Sequence, residues 1–231
     1  MALTKLDSTF FRGKKTVLDT SSYTSFNAGL KPGRLVLAGS VAVKSSLGSQ
    51  IAARLSLEHF TEAILDSYEE DQADRSRLLE QSLRCANEAV YNFGHKLAAG
   101  GRLAAAIIAL VIEAGDVSAA RVGALSAYLY RNGTIFPFFL AKESADTCIG
   151  TNSRVTVETA EVKGANGDIV FVFSETLTLH QEEKLSKLLL NKPMPKLETV
   201  VAEIFEDIES LEFAQMTCIG PETVYLANRI K

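Results

Sequence analysis

The order of periodic patterns along the chain predicts an α+β fold, a four-layer α-β-β-α sandwich of two mainly antiparallel sheets flanked by helix pairs. Three observations carry this. Helical and strand patterns come in blocks, with one strand, two helices, five strands, two helices and two strands in turn. The helices carry continuous apolar stripes that must lie on something. Asn-Gly pairs at Asn132-Gly133 and Asn166-Gly167 mark hairpins, so the sheets are antiparallel.

Each element has its own justification. Arg34 to Leu37 is a short apolar strand after the turn signal Lys31-Pro32-Gly33. A helix follows from about Ser46 to Asp66, opened by an N-cap at Ser45 or Ser46 in a hydroxyl-rich stretch that includes Ser40 and Ser49; that stretch also suits an anion. From Asp71 to Leu97, residues Leu79, Leu83, Ala86, Val90, Phe93 and Leu97 form one stripe at alternating spacings of 4 and 3. The acidic Glu69-Glu70-Asp71 turn is a solvated connection.

After Gly100-Gly101 the pattern turns to β. Leu103–Glu113, Val117–Val122 and Ala127–Tyr130 are successive strands, with Ala114-Gly115-Asp116 as the first turn. Asn132-Gly133 leads into Thr134–Leu140, and Asn166-Gly167 joins Val155–Val162 to Ile169–Phe173, which makes the region a meander. Thr178-Leu179-His180-Gln181 fits a capping box opening a helix through Leu190. Past Pro193 and Pro195, residues Leu197, Val201, Ile204, Ile208 and Leu211 repeat at helical spacing, and the chain closes with strands Phe213–Cys218 and Thr223–Ile230.

Composition sets the class. A chain of 231 residues, 47% hydrophobic and 23% charged, is ordinary globular material and is read as one domain, 1–231. A net charge of −4 and no basic block beyond Arg12, Lys14 and Lys15 leave nucleic acid without a footprint. The most apolar run, Leu103 to Ile112, is too short for a bilayer, and the N-terminus does not resemble a signal peptide, so no membrane role and a cytoplasmic location are expected. Cys85, Cys148 and Cys218 have no metal or disulfide spacing and read as small buried apolar groups.

Six short stretches, in order, resemble the motifs of the metal-dependent serine/threonine phosphatases of the protein phosphatase 2C type. N-E-D-A falls on Ser25-Phe26-Asn27-Ala28. V-A-D-G-x-G-G-H falls on Val36-Leu37-Ala38-Gly39-Ser40-Val41-Ala42-Val43, and G-G-T-T on Gly100-Gly101-Arg102-Leu103. V-G-D-S-R-x-Y-L-x-R falls on Val122 to Arg131 with Ala124 at the acid, and the S-D-G motif on Ser174-Glu175-Thr176 after Gly167-Asp168. D-N-x-T-V falls on Gly220-Pro221-Glu222-Thr223-Val224. The likeness runs from about Ser22 to the C-terminus and implies the four-layer sandwich.

The resemblance also implies what is lost. The family uses Mn²⁺ or Mg²⁺, hard cations that need oxygen ligands, and two ions about 3.5 to 4 Å apart need several carboxylates. Those carboxylates would sit at Asn27, Ala38, Glu175 and Gly220, with the bridging one at Ala38, and only Glu175 is an acid. The family's phosphate-holding arginine corresponds to about Ser22, and only about a dozen residues between Phe139 and Thr151 stand where a longer flap is usual.

The implied reading is a pseudophosphatase with no metal and no catalytic residue, its degenerate positions being Asn27, Ala38, Gly39, Ala124, Glu175 and Gly220. Such a module would engage a protein partner, a kinase or a phosphoprotein. The alternative is a phosphoserine/phosphothreonine phosphatase with a rebuilt or single-metal site, one ion held by Glu175, Asn27 and Asp168. Against those roles, Glu175 is also an ordinary strand-end glutamate and Asp168 an ordinary turn cap; His59, His95 and His180 lack ligand spacing. An N-terminal-nucleophile hydrolase shares the layering, but Met1-Ala2-Leu3-Thr4 offers no clear nucleophile.

Overall fold

Antiparallel ladders build two five-stranded sheets in the computed structural model, which describes residues 5–12, 21–26, 34–44, 46–67, 74–96, 103–140, 148–190, 194–206 and 211–220. The first sheet has the order β2 (Ser21–Phe26), β3 (Arg34–Ala42), β4 (Ala105–Glu113), β5 (Asp116–Val122), β8 (Glu158–Val162). The second has the order β1 (Lys5–Arg12), β10 (Phe213–Gly220), β9 (Ile169–Phe173), β6 (Ser126–Arg131), β7 (Thr134–Pro137). Helices α1 (Leu47–Ser67) and α2 (Arg75–Lys96) cover the first sheet, and α3 (Leu179–Leu189) and α4 (Leu197–Ile204) cover the second. The four layers are those expected.

Period-2 alternation explains the layering. Along β3, Val36 and Ala38 pack under α1 and α2, while Leu35 and Leu37 face the second sheet. Along β9, Val170 and Val172 meet them between the sheets, and Ile169, Phe171 and Phe173 lie under α3 and α4. All five β9 residues are buried, so the strand reads as a continuous apolar run. Burying each such Phe or Leu contributes about 1.5–3 kcal/mol.

The helix ends follow local chemistry. Ser46 caps α1, its Oγ accepting the Ser49 N–H at 3.2 Å, and the Asp74 carboxylate accepts the Ser76 N–H at 3.0 Å ahead of α2. Thr178 and Gln181 form the expected capping box at α3. Helix α4 stops at Ile204, shorter than its spacing predicts; Leu211 is not helical, and Ile208 lies outside the described residues.

Three expectations need correction. β1 and β2 have no counterpart in the pattern read from the sequence, because each is an edge strand paired on one side only. The β region is not a plain meander. Ala114-Gly115 (φ 51° and 90°) and Asn132-Gly133 (φ 51° and 84°) do close two-residue hairpins, but Asn166-Gly167 joins β8 in the first sheet to β9 in the second, so it is a crossover and no hairpin. Of the cysteines, Cys148 is buried, Cys218 half-buried and Cys85 exposed. Strand Thr223–Ile230, the Glu69-Glu70-Asp71 turn and the Gly100-Gly101 motif lie outside the described residues. Among the described residues no helix is long and apolar enough to cross a membrane.

Candidate functional site

Strand direction divides the sandwich into two ends. At one end β5 leaves the first sheet at Val122 and enters the second at Ser126, and this crossover end also receives the last residues of β3 and β9 and the first residues of β4 and β10. Cross-strand pairs fix its rows: Ser40 beside Ile107 and Ile107 beside Val122 in one sheet, Ser126 beside Phe173 and Phe173 beside Ala214 in the other. At the far end stand Arg34, Glu113, Asp116, Arg131, Ile169 and Gly220.

The positions taken from the motif resemblance do not converge. Ala124 and Glu175 are at the crossover end, where the Ser126 hydroxyl donates to the Glu175 carbonyl at 2.6 Å. Gly220 and Asp168 are at the far end, linked by the Ile219 N–H donating to the Asp168 carbonyl at 2.8 Å. The length of β9 separates Asp168 from Glu175, so the two cannot share an ion. Ala38 lies in mid-strand with a side chain 2% exposed beneath the helices, and Gly39 faces the other way against the Phe213 ring. Neither opens onto an edge. Asn27 lies outside the described residues, and β2 before it ends at Phe26 beside Val36, away from the crossover.

Asp168 has a structural partner instead. Its carboxylate, 2% exposed, accepts from Arg131 Nε at 2.9 Å and Nη2 at 2.5 Å, a bidentate pair, and from the Ala165 N–H at 2.7 Å. Those bonds close the β8–β9 crossover. The Arg131 guanidinium is held above its usual pKa, first by the Asp168 hydrogen bond.

Residues passed over by sequence reasoning shape the crossover end. Ser174 Oγ accepts both the Glu212 and the Phe213 N–H, at 3.1 and 3.2 Å, which pins the start of β10 to the end of β9. Glu212, directly before β10, and Glu175, just past the end of β9, therefore flank adjoining strands. Leu211 and Glu212 stand directly ahead of the strand beside β9, whereas Gly220 is at the other end of that strand. The signal was present in the sequence as an acid directly before Phe213–Cys218.

Arg121, on β5 and 4% exposed, ties the crossover together. Its guanidinium donates to the Leu125 carbonyl at 2.7 Å, the Leu140 carbonyl at 3.1 Å and Glu158 at 3.3 Å, and lies 4.6 Å over the Phe139 ring. On the helix side, Ser40 bonds Ser56 of α1 at 2.8 Å, and Asn87 of α2 holds the loop at Gly150 and Asn152.

The donor set at this end does not fit a two-ion centre. In the first sheet the described residues that β3, β4 and β5 bring to the crossover, Ala38–Lys44, Leu103–Ile107 and Ala120–Leu125, include no carboxylate, and the acid that β8 brings beside Arg121, Glu158, is paired with that guanidinium at 3.3 Å. The second sheet supplies Glu175 and Glu212. Two ions bridged between the sheets need acids from both sides. Among the described residues no group of three or more His, Cys, Asp or Glu side chains converges. Between the sheets, the gap bordered by Leu37, Gly39, Val172, Phe213 and Gln215 has no room for a water molecule.

No protein-family model matches the chain, and no curated protein does. Solved structures do. A bacterial serine phosphatase is 13% identical with a TM-score of 0.73 over 96% of this chain and 100% of its own. The serine/threonine phosphatase PstP of Mycobacterium tuberculosis is 13% identical with a TM-score of 0.66 over 95% and 99%. PppA of Pseudomonas aeruginosa, described as a key regulatory component of T6SS, is 14% identical with a TM-score of 0.67 over 94% and 98%. This chain has the α-β-β-α fold of the protein phosphatase 2C type serine/threonine phosphatases.

Proposed function

We propose that the chain is a pseudophosphatase, a non-catalytic binding or regulatory module on a phosphatase scaffold, acting in the cytoplasm on a protein partner such as a kinase or phosphoprotein. The observation that carries this is the donor set of the crossover end: the first sheet brings Ser40, Gly123 and Ala124 to it, and its one acid there among the described residues, Glu158, is tied to Arg121. With that acid held by Arg121 and no other from that side, an attacking water has no pair of ions to lower its pKa. The regulatory part of the reading draws on PppA, a protein of the same fold that is described as a regulatory component.

The test is phosphate release from a phosphoserine peptide and from a generic phosphomonoester, with Mn²⁺ or Mg²⁺ added. Rates equal to the metal-only blank support the reading, and turnover that scales with protein concentration overturns it. A second reading, hydrolysis through a single ion, is favoured by one observation: Glu175 just past β9 and Glu212 just before β10 flank adjoining strands that Ser174 pins together. Under it, Glu175→Gln abolishes the metal-dependent rate.

A further inference from the structure

The crossover end carries charge and apolar surface in an arrangement that complements itself. The three most exposed large hydrophobic residues of the described chain are Leu179 at 80%, Leu140 at 75% and Leu47 at 67%. All three are at this end. Leu47 opens α1 just past β3, Leu179 opens α3 just past β9, and Leu140 follows β7 beyond the row of Ser126, its carbonyl bonded to Arg121. They place exposed apolar side chains on both helical layers and between them at this one end.

Among the described residues the charges split across that face. Above α1 and α2 it is basic. Lys44 follows β3, Lys96 ends α2 near Leu103 (a Cβ at Gly94 would lie 3.4 Å from the Leu103 side chain), and Arg154 leads toward β8; all three are exposed. Above α3 and α4 it is acidic. Glu183 is in the opening turns of α3, and Glu203 and Glu206 flank the end of α4, where Gln181 donates to the Ile204 carbonyl at 3.4 Å; these too are exposed. A two-fold axis through such a face sets the basic half of one copy on the acidic half of the other, twice over, with the leucines between.

We propose that the crossover end is a homodimer interface, and that the surface left where a catalytic mouth would stand docks a second copy of this chain. This rests on reading that end as a binding face. In the dimer Lys96 of each copy faces the Glu203 and Glu206 side of the other, and Leu47, Leu140 and Leu179 leave water.

Sedimentation equilibrium on the full chain tests it. The expected mass is a dimer of the 25.0 kDa chain, loosening as salt rises. Leu179→Glu and Leu47→Glu each give a monomer, while Leu190→Glu, equally exposed in kind but at the far end of α3, leaves the dimer intact. Lys96→Glu and Glu206→Lys each weaken association by about tenfold or more. An equimolar mixture of those two variants recovers it, because in the mixed dimer one pair is reversed, the other is unchanged, and both attract. A monomer at every accessible concentration overturns the proposal, and so does a dimer broken by Leu190→Glu and indifferent to the charge swap. Phosphate release measured on the same samples keeps the two claims apart: turnover by a dimer refutes the non-catalytic reading alone, and an inactive monomer refutes the interface alone.

Discussion

Phe213 of β10 packs its ring face to face with the backbone of Gly39 on β3, so closely that a Cβ at Gly39 would lie 2.3 Å from the ring Cζ. The contact joins the two sheets beside the crossover end, and it holds because residue 39 has no side chain. Gly39 has no positive φ, so the requirement is space and not conformation.

Gly39→Ala is therefore expected to destabilise by about 1–3 kcal/mol through overpacking, read as a lower midpoint in urea unfolding. Phe213→Leu on its own leaves a void, but combined with Gly39→Ala the two losses do not add, because each relieves the other. Strict additivity in the double-mutant cycle would refute the contact.

Arg131 and Asp168 predict an asymmetry. Asp168 is 2% exposed while the Arg131 side chain is 31% exposed. Arg131→Met strands a buried carboxylate and is expected to cost about 3–5 kcal/mol. Asp168→Ala strands a cation that water reaches, and the cost is smaller. Equal losses in paired unfolding curves contradict the assignment of Asp168 as the closure of the β8–β9 crossover.

Tyr128 sets an alkaline limit. Burial chiefly, and then its hydrogen bond to Glu182 at 2.8 Å, raise the phenol well above its usual pKa. The folded state then holds a proton that the unfolded chain releases near pH ~10. Stability from this group is complete below that pH and is lost as pH rises above it. In an alkaline unfolding series Tyr128→Phe flattens the decline, at a cost of about 0.5–1.5 kcal/mol at neutral pH. An unchanged slope counts against the burial of this hydroxyl.

Ala114 occupies a left-handed turn position at φ 51° next to Gly115. An alanine there is strained by about 1–2 kcal/mol, so Ala114→Gly is expected to raise the thermal midpoint. A fall would mean that the β4–β5 turn differs from the I′ form.

Local pattern shows most of the layers but not the pairing. The α2 stripe from Leu79 to Val90, the Thr178 and Gln181 box and the apolar β9 run are each written in a short window, so they are legible. β1 is not, since its partner β10 lies at the other end of the chain and the pairing of Phe11 with Ala214 leaves no mark in either window. The pairing of the last strands is illegible for the same reason. Phe213–Gly220 and the segment after it both read as strands, and only the ladder of Ala214 against Phe173 tells which one adjoins β9. Gly220 was thereby placed at a centre that lies at the opposite end of the sheet. Ala38 takes the place of the bridging acid only through the resemblance; β3 runs past the expected end at Leu37 to Ala42, and Ala38 is enclosed.

The central claim is that the crossover end lacks the ligands for a pair of divalent ions, and titration calorimetry with Mn²⁺ measures that directly. The expected result is no saturable heat at the concentrations that load a two-ion phosphatase site, unchanged in Glu175→Gln. Saturable binding of two ions per chain, abolished by Glu175→Gln, would contradict the account.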